Sequence, residues 1–303
     1  MLGFRFARDK LAPFSTTTEM LGVVVDTSAK GLVKVDNKET RKTDLVAEIN
    51  KLLESGKMDA ESLASLLGRV QYAELRIAGR RGKLALADIR ECERGEMVKH
   101  GITLDATSRR AFEILLERVS SGKPKTFSTD EPDRPVLIFT DGAVETNQND
   151  EVEATIGGVI FVDGVVQAFG CHVDTQVLQE WMSELVHPVG LTELYGVVVA
   201  FHLWKPFLQN RRVIIFCDNW TAVDVFIRGS SSLKLWRHLL LALEQSDDDS
   251  GNLVWMARVP SPSNIADPPS RGQCMGRDTV FTTIQEMFSN VSHIGKGLVK
   301  LVS

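Results

Sequence analysis

The chain has 303 residues, of which 43% are hydrophobic and 25% are charged, and its formal net charge is −5. That length is enough for two domains, and the composition is that of a globular protein rather than a disordered one. The net charge excludes an overall basic footprint, so any contact with nucleic acid must rest on local patches.

Three features of the sequence bear on the cellular location of the protein. No apolar run approaches the roughly 20 residues needed to span a bilayer, and the N-terminus has no signal-peptide pattern. The four cysteines are widely spaced, which disfavours a zinc site or a disulfide framework and favours a reducing compartment. We expect a soluble intracellular protein of the cytoplasm or nucleus that does not bind membranes.

Residues 1–122 are predicted to form a smaller, mostly helical domain that opens with a hairpin. Residues 20–26 are strand-like, and Lys30-Gly31 is a turn signal before a second strand at 32–35. Three segments with apolar residues at helical spacing follow. Their apolar faces are formed by Leu45, Ile49, Leu52 and Leu53, by Leu63, Leu66, Leu67 and Val70, and by Phe112, Leu115, Leu116 and Val119.

Residues 123–134 are polar and contain two prolines, which is typical of a linker. After it, residues 135–272 alternate between strand and helix patterns, and residues 273–303 form a weakly patterned C-terminal tail. The predicted strands are 136–141, 154–162, 165–171, 213–217 and 253–259, and the predicted helices are 191–208, 221–228, 233–245 and a short one from 264. This order predicts a mixed α/β fold, in which helices flank a five-stranded mixed sheet.

Four acids lie at the edges of separate predicted elements. Asp141 ends the first strand of this domain, and Asp218 directly follows the strand at 213–217. If those strands are parallel neighbours, both carboxylates leave the sheet at the same edge. Glu193 lies in the first turn of a helix, and Asp267 lies in the opening turn of the last one. Each acid alone is commonly a turn, cap or helix-dipole residue, so only the joint arrangement indicates a site.

Such an arrangement fits a two-metal phosphodiesterase site. Hydrolysis needs a nucleophilic water and a stabilised leaving oxygen, which two Mg²⁺ ions roughly 4 Å apart supply. Mg²⁺ takes hard oxygen ligands and keeps several waters, so a few carboxylates suffice. Without metal, crowded carboxylates repel one another, which raises their pKa values. The sequence therefore predicts an Mg²⁺ site where the four acids meet.

The segments that carry these acids resemble the motifs of ribonuclease H, in the same order. Thr140-Asp141-Gly142-Ala143 is similar to its first motif, and Thr192-Glu193-Leu194 is similar to its second. Phe216-Cys217-Asp218-Asn219 resembles the third motif, and Asn264-Ile265-Ala266-Asp267 resembles the fourth. The resemblance implies a ribonuclease H-like fold and an endonuclease that hydrolyses the RNA strand of RNA–DNA hybrids.

A finer resemblance is to the ribonuclease H domains of DIRS-like retrotransposons and related reverse transcriptases. It rests on residues 227–232 and 258–271. In the first domain, residues 19–26 resemble the strand after a polymerase palm, and residues 63–72 resemble a thumb or connection helix. No Tyr-x-Asp-Asp motif is present, so we expect this chain to lack the palm. A polymerase domain encoded upstream is an expected partner.

The resemblance also implies a role for each site residue. Asp141 would bridge two Mg²⁺ ions, for which Mn²⁺ can substitute. Asp218 and Glu193 would complete one metal site, and Asp267 would complete the other. An RNA–DNA hybrid would be recognised through its 2′-hydroxyls and minor-groove shape. The expected substrate contacts are Asn219, Asn264, Arg228 and Arg271.

Two other functions remain open. Residues 260–263 (Pro-Ser-Pro-Ser) occupy the stretch in which cellular ribonucleases H carry a mobile histidine, so a low rate is expected. A catalytically weak or inactive nucleic-acid-binding module of the same fold is the main alternative. A 3′–5′ exonuclease also uses four acids on a related fold. That group has Asp-x-Glu on the first strand, whereas this chain has Ala143 two residues after Asp141.

Overall fold

The computed structural model describes residues 14–79, 81–94, 101–129, 134–185, 187–250, 252–273 and 279–283. The chain divides into two compact units, one of residues 1–78 and 88–132 and the other of residues 79–87 and 133–303. Within the described residues, no helix is both long enough and apolar enough to cross a membrane.

The first unit is mostly helical, as predicted, and also contains a four-stranded antiparallel sheet with the order β1-β2-β3-β6. The sheet strands are β1 (Thr17–Met20), β2 (Val23–Asp26), β3 (Leu32–Asn37) and β6 (Lys125–Ser128). The remaining elements up to residue 121 are α1 (Glu39–Ser55), β4 (Lys57–Met58), α2 (Ala60–Glu74), α3 (Arg81–Arg94), β5 (Ile102–Thr103) and α4 (Ala106–Ser121).

The predicted single strand at residues 20–26 is wrong, because a tight turn divides it. Leu21 and Gly22 have φ angles of 51° and 71°, and Met20 pairs directly with Val23. Two consecutive residues with positive φ form the turn that joins strands in a two-residue hairpin, and Gly22 adopts that conformation without a steric penalty. Residues 125–128, within the segment predicted as a linker, pair with β3.

The second unit is built on a mixed sheet with the order β11-β10-β7-β8-β9-β12. Its strands are β7 (Val136–Thr146), β8 (Val152–Val162), β9 (Val165–His172), β10 (Arg212–Cys217), β11 (Leu253–Arg258) and β12 (Thr279–Thr283). Strand β8 is antiparallel to β7 and β9, and every other pair of neighbours is parallel. The five predicted strands are confirmed, and β12 extends the sheet by a strand that the sequence did not predict.

Helices flank this sheet, also as predicted. They are α5 (Thr175–Glu184), α6 (Val189–Leu203), α7 (Lys205–Leu208), α8 (Trp220–Arg228), α9 (Lys234–Ser250) and α10 (Asp267–Ser270). Helix α6 is buried on all sides, because it lies between strands β7 and β8 and helices α8 and α9. The predicted helix 191–208 is interrupted at Trp204, just before Pro206. Helix α9 continues past its predicted end at residue 245 as far as Ser250.

Candidate active site

Asp141 lies within β7 rather than at its end, because the antiparallel partner β8 keeps pairing with β7 as far as Thr146. The parallel partner β10 pairs with β7 only up to Phe139. Asp141 is therefore just beyond the edge at which β10 stops. Its side chain is 5% exposed, and the Asn264 amide donates to its Oδ1 at 3.2 Å while the Ser270 hydroxyl donates to its Oδ2.

Glu193 is brought to Asp141 by a close contact between helix α6 and strand β7. It lies two residues further into α6 than predicted, because the helix begins at Val189. A side-chain carbon at Gly142 would lie 2.7 Å from the Glu193 backbone nitrogen, so only glycine allows this approach. Gly142 therefore serves the packing of α6 against β7.

Asp218 and Asp267 reach the same edge from the other elements. Asp218 follows the last residue of β10, and the Arg258 Nε donates to its carbonyl oxygen at 3.1 Å. Asp267 is the first residue of α10. That short helix packs closely on β8. A side-chain carbon at Gly157 would lie only 2.3 Å from the Ser270 nitrogen, so glycine is needed there.

The electrostatics of the site show that the four acids act on one another. The pKa of Glu193 is raised from 4.5 to about 10, first by burial and then by the charges of Asp141 and Asp218. Burial is also the main cause that raises the pKa of Asp141, and Asp218 and Asp267 add to it. The Ser270 hydrogen bond opposes that rise. The structure therefore brings all four predicted acids into one interacting group.

A thiol, which the sequence interpretation did not assign to the site, lies among these acids. Cys217 is fully buried, and its Sγ is 3.6 Å from the Glu193 Oε2. Ligand atoms of Glu193, Cys217 and Asp218 all lie within 4.8 Å of one another. The only sequence signal for Cys217 is its position directly before an acid at the end of an apolar strand.

The residues present fit a divalent cation. Buried carboxylates that face one another are unfavourable when charged, unless a cation compensates them. Glu193 and Asp141 are both buried beside other carboxylates. The side chains that most affect the pKa of Glu193 are two acids and a thiol. Oxygen ligands of this kind are what Mg²⁺ and Mn²⁺ prefer.

The four residues predicted to contact substrate are placed in different ways. Asn264 is buried, and its amide donates to the Thr140 carbonyl at 2.9 Å as well as to Asp141. The Asn219 side chain caps α8 by accepting from two backbone N–H groups. Arg228 is exposed and pairs with Asp224.

Arg271 is also engaged within the chain. Its guanidinium donates to Asp267 Oδ1 at 2.9 Å and to Glu145 Oε1 at 2.6 Å. Asn264, in contrast, is buried and donates to Asp141, so we describe Asn264 as a positioning residue. Arg228 and Arg271 remain at the surface, where a phosphate could reach them.

An exposed aromatic residue lies beside the acids and was missed by the sequence interpretation. Trp220, the first residue of α8, is 66% exposed. The Arg258 guanidinium lies over its ring, 5.5 Å from the centroid, in cation–π geometry. Since Arg258 also bonds to the backbone of Asp218, this aromatic–cation pair lies at the rim of the acidic site.

No family model matches the chain, and no curated protein does. Solved structures to which it is similar are ribonucleases H1 and a reverse transcriptase. RNase H1 from the archaeon Halobacterium salinarum NRC-1 is 15% identical, with a TM-score of 0.34 over 45% of this chain and 98% of that chain. LC11-RNase H1 in complex with an RNA/DNA hybrid is 16% identical, with a TM-score of 0.37 over 46% of this chain and 95% of that chain.

The foamy viral protease-reverse transcriptase in complex with an RNA/DNA hybrid is 10% identical, with a TM-score of 0.31 over 87% of this chain and 53% of that chain. Similarities at this level carry no argument for function. The function proposed next therefore depends on the side chains of this chain.

Proposed function

We propose that this chain is a divalent-metal-dependent endonuclease that hydrolyses the RNA strand of RNA–DNA hybrids. The observation that carries the proposal is the group of acids at the sheet edge, in which Glu193 and Asp141 are buried beside other carboxylates. Maintaining such a group costs stability in the absence of a cation, so a cation-dependent reaction is the function it fits best. The motif resemblance supplies the substrate class.

Asp141, Glu193, Asp218 and Asp267 are the residues that would hold Mg²⁺ or Mn²⁺. When bound, the metal supplies a water that is nucleophilic near neutral pH and stabilises charge on the leaving oxygen. Asn264 and Ser270 fix the two oxygens of Asp141. Arg271 orients Asp267 through the hydrogen bond from its Nε.

Substrate would lie along the exposed rim beside these acids. Trp220 offers an apolar face for a sugar ring, and Arg258, Arg228 and Arg271 offer cations for phosphates. The 2′-hydroxyl distinguishes RNA from DNA in the shallow minor groove of a hybrid. Asn219, whose amide oxygen caps α8, keeps its amide nitrogen for such a contact.

We further propose that the chain is the C-terminal part of a DIRS-like retroelement reverse transcriptase, with a polymerase domain encoded upstream. The supporting residues are the stretches at 227–232 and 258–271 and the thumb-like segment at 63–72. A second candidate function is a nucleic-acid-binding module of the same fold with weak or absent catalysis. Residues 261–263, in the stretch that lacks the loop histidine, form a 3-10 turn without a titratable side chain, which favours that candidate.

Cleavage of a labelled RNA–DNA hybrid in Mg²⁺ or Mn²⁺ tests the proposal. We expect Asp141→Asn to lower the rate at least about a hundredfold, because metal stabilisation of the transition state is worth several kcal/mol. Glu180→Gln, an exposed acid on α5, is the matched control and should cut like the wild type.

Equal cutting by wild type and Asp141→Asn, or cutting by neither, would contradict the proposed catalytic function. A hybrid with both ends blocked tests the 3′–5′ exonuclease alternative, because an exonuclease cannot degrade such a substrate and an endonuclease can.

A further inference from the structure

Cys217 gives the acidic site a ligand that Mg²⁺ does not use. Its Sγ lies 3.6 Å from the Glu193 Oε2, and both side chains are buried. Asp218, the next residue, adds a carboxylate oxygen within 4.8 Å of both. One thiol and two carboxylates therefore lie together at the end of β10.

The spacing matches the coordination geometry of zinc. Zn–S bonds of about 2.3 Å and Zn–O bonds of about 2.1 Å at a tetrahedral angle place sulfur and oxygen about 3.6 Å apart. The observed separation of Sγ and Oε2 is 3.6 Å. The thiol donates a hydrogen bond to the carboxylate at that separation, so an ion that replaces the shared proton needs little movement of this pair.

The ligand chemistry favours zinc over magnesium at this point. A thiolate is a soft ligand that selects Zn²⁺ or Cd²⁺, whereas Mg²⁺ takes oxygen ligands and binds near-octahedrally. Burial raises the pKa of both the Cys217 thiol and the Glu193 carboxyl, so binding removes a proton from each group. Both protons pass to solvent as the metal–ligand bonds form, and no oxidant or reductant is required. Within the described residues Cys217 is in no disulfide, so the sulfur is available.

We propose that Glu193, Cys217 and Asp218 form a binding site for Zn²⁺, and that Zn²⁺ bound there inhibits the nuclease. Inhibition follows because the ion would occupy two of the four carboxylates that the catalytic site needs. This second half rests on the proposed function, whereas the binding half does not.

Cd²⁺ titration tests the binding half, because a cadmium–thiolate bond absorbs in the ultraviolet and a cadmium–carboxylate bond does not. The background is the full chain with Cys92 and Cys274 replaced by serine, so that only two cysteines remain. We expect one equivalent of Cd²⁺ to produce the absorption. Cys217→Ser should abolish it, and Cys171→Ser, a buried thiol on β9, should leave it intact.

A carboxylate variant and a folding check complete this arm. Glu193→Gln should weaken Zn²⁺ binding at least about tenfold, as measured by competition with a chromophoric chelator. Tryptophan fluorescence should show that each variant is folded. Absorption that survives Cys217→Ser, or that Cys171→Ser removes instead, would overturn the proposal.

Hybrid cleavage tests the inhibitory half. Zn²⁺ added to the Mg²⁺-supported reaction should inhibit the wild type, and Cys217→Ser should raise the inhibitory Zn²⁺ concentration at least about tenfold. Equal inhibition of both proteins would refute the regulatory role even if Cd²⁺ binds. If neither protein cleaves, the proposed function fails, and the Cd²⁺ titration alone decides whether the zinc site exists.

Discussion

Both units of this protein bury glutamates, and Glu74 of the first unit and Glu193 of the second differ in what surrounds them. In the first unit, Glu74 on α2 accepts from the Arg118 Nε with both carboxylate oxygens at 2.9 Å. Arg118 on α4 also donates to the Ala78 carbonyl at 3.0 Å. In the second unit, Glu193 lies beside Asp141, Asp218 and Cys217.

The difference separates structural acids from functional ones. A buried charge is tolerated when the fold itself provides an opposite charge and hydrogen bonds, and Glu74 has both. Glu193 is as deeply buried, yet the side chains that act on it most are acidic or neutral. A cation from solution is the partner that it lacks, and that is the basis for proposing that the second unit is catalytic.

The largest expected effect comes from breaking the pair in the first unit. Arg118→Ala should destabilise that unit by about 3–5 kcal/mol, because it leaves the Glu74 carboxylate buried without its cation. All five tryptophans lie in the second unit, so their fluorescence does not report on unfolding of the first unit. Hydrogen exchange of the α2 and α4 amides measures the loss of stability instead.

The matched control for that change is Arg110→Ala. Arg110 is on the same helix, and its pair with Glu113 is exposed to solvent. We expect a change of at most about 1 kcal/mol from this variant. Similar effects of the two substitutions would mean that the buried pair is not what stabilises the first unit.

The second prediction concerns pH and the second unit without metal. The pKa of Glu193 is raised from 4.5 to about 10, so the folded state keeps a proton that the unfolded state loses. The stability is therefore complete below about pH 4.5 and falls as pH rises toward 10. Glu193→Gln should flatten this fall, as measured by urea unfolding followed through tryptophan fluorescence.

Arg118→Ala is the informative comparison for that pH profile, because it should leave the second unit's slope unchanged. A wild-type profile that is flat between about pH 5 and pH 9 would show that Glu193 is not a strained acid in the folded protein.

The smallest expected effect concerns the neutral donors that hold Asp141. Ser270→Ala removes a buried hydroxyl that donates to Asp141 Oδ2, and it should cost the second unit about 1–2 kcal/mol. Ser183→Ala, whose hydroxyl makes an exposed bond to the Glu180 carbonyl, is the control and should have almost no effect. Equal urea midpoints for both variants would remove Ser270 from the support of the site.

The sequence was sufficient to predict five strands of the second unit's sheet and to place Asp141 and Asp218 near one edge of it. Unbroken apolar runs before Asp141 and Asp218 identified two neighbouring strands, and these strands are parallel in the structure. Helix α5 carries a readable signal that the interpretation missed, since Asp174 caps it and Val177, Leu178 and Trp181 share one face.

Other features depend on three-dimensional contacts that no local pattern encodes. The proximity of Cys217 to Glu193 follows from how closely α6 approaches the sheet at Gly142. The extension of β7 beyond Asp141 follows from its pairing with β8, and β12 lies in the tail, whose pattern is weak. Ser270 is three residues after Asp267, and only the packing of α10 on β8 reveals that it supports Asp141.

Metal-dependent stability is the most direct test of the central claim that the acids at this edge need a cation. Thermal unfolding of the second unit would be followed by tryptophan fluorescence at about pH 8, without metal and with about 10 mM Mg²⁺. The wild type should gain stability from Mg²⁺. The double variant Asp141→Asn, Glu193→Gln should be more stable without metal and should not respond to it. An equal Mg²⁺ response in both proteins, or a double variant that is less stable without metal, would contradict the claim.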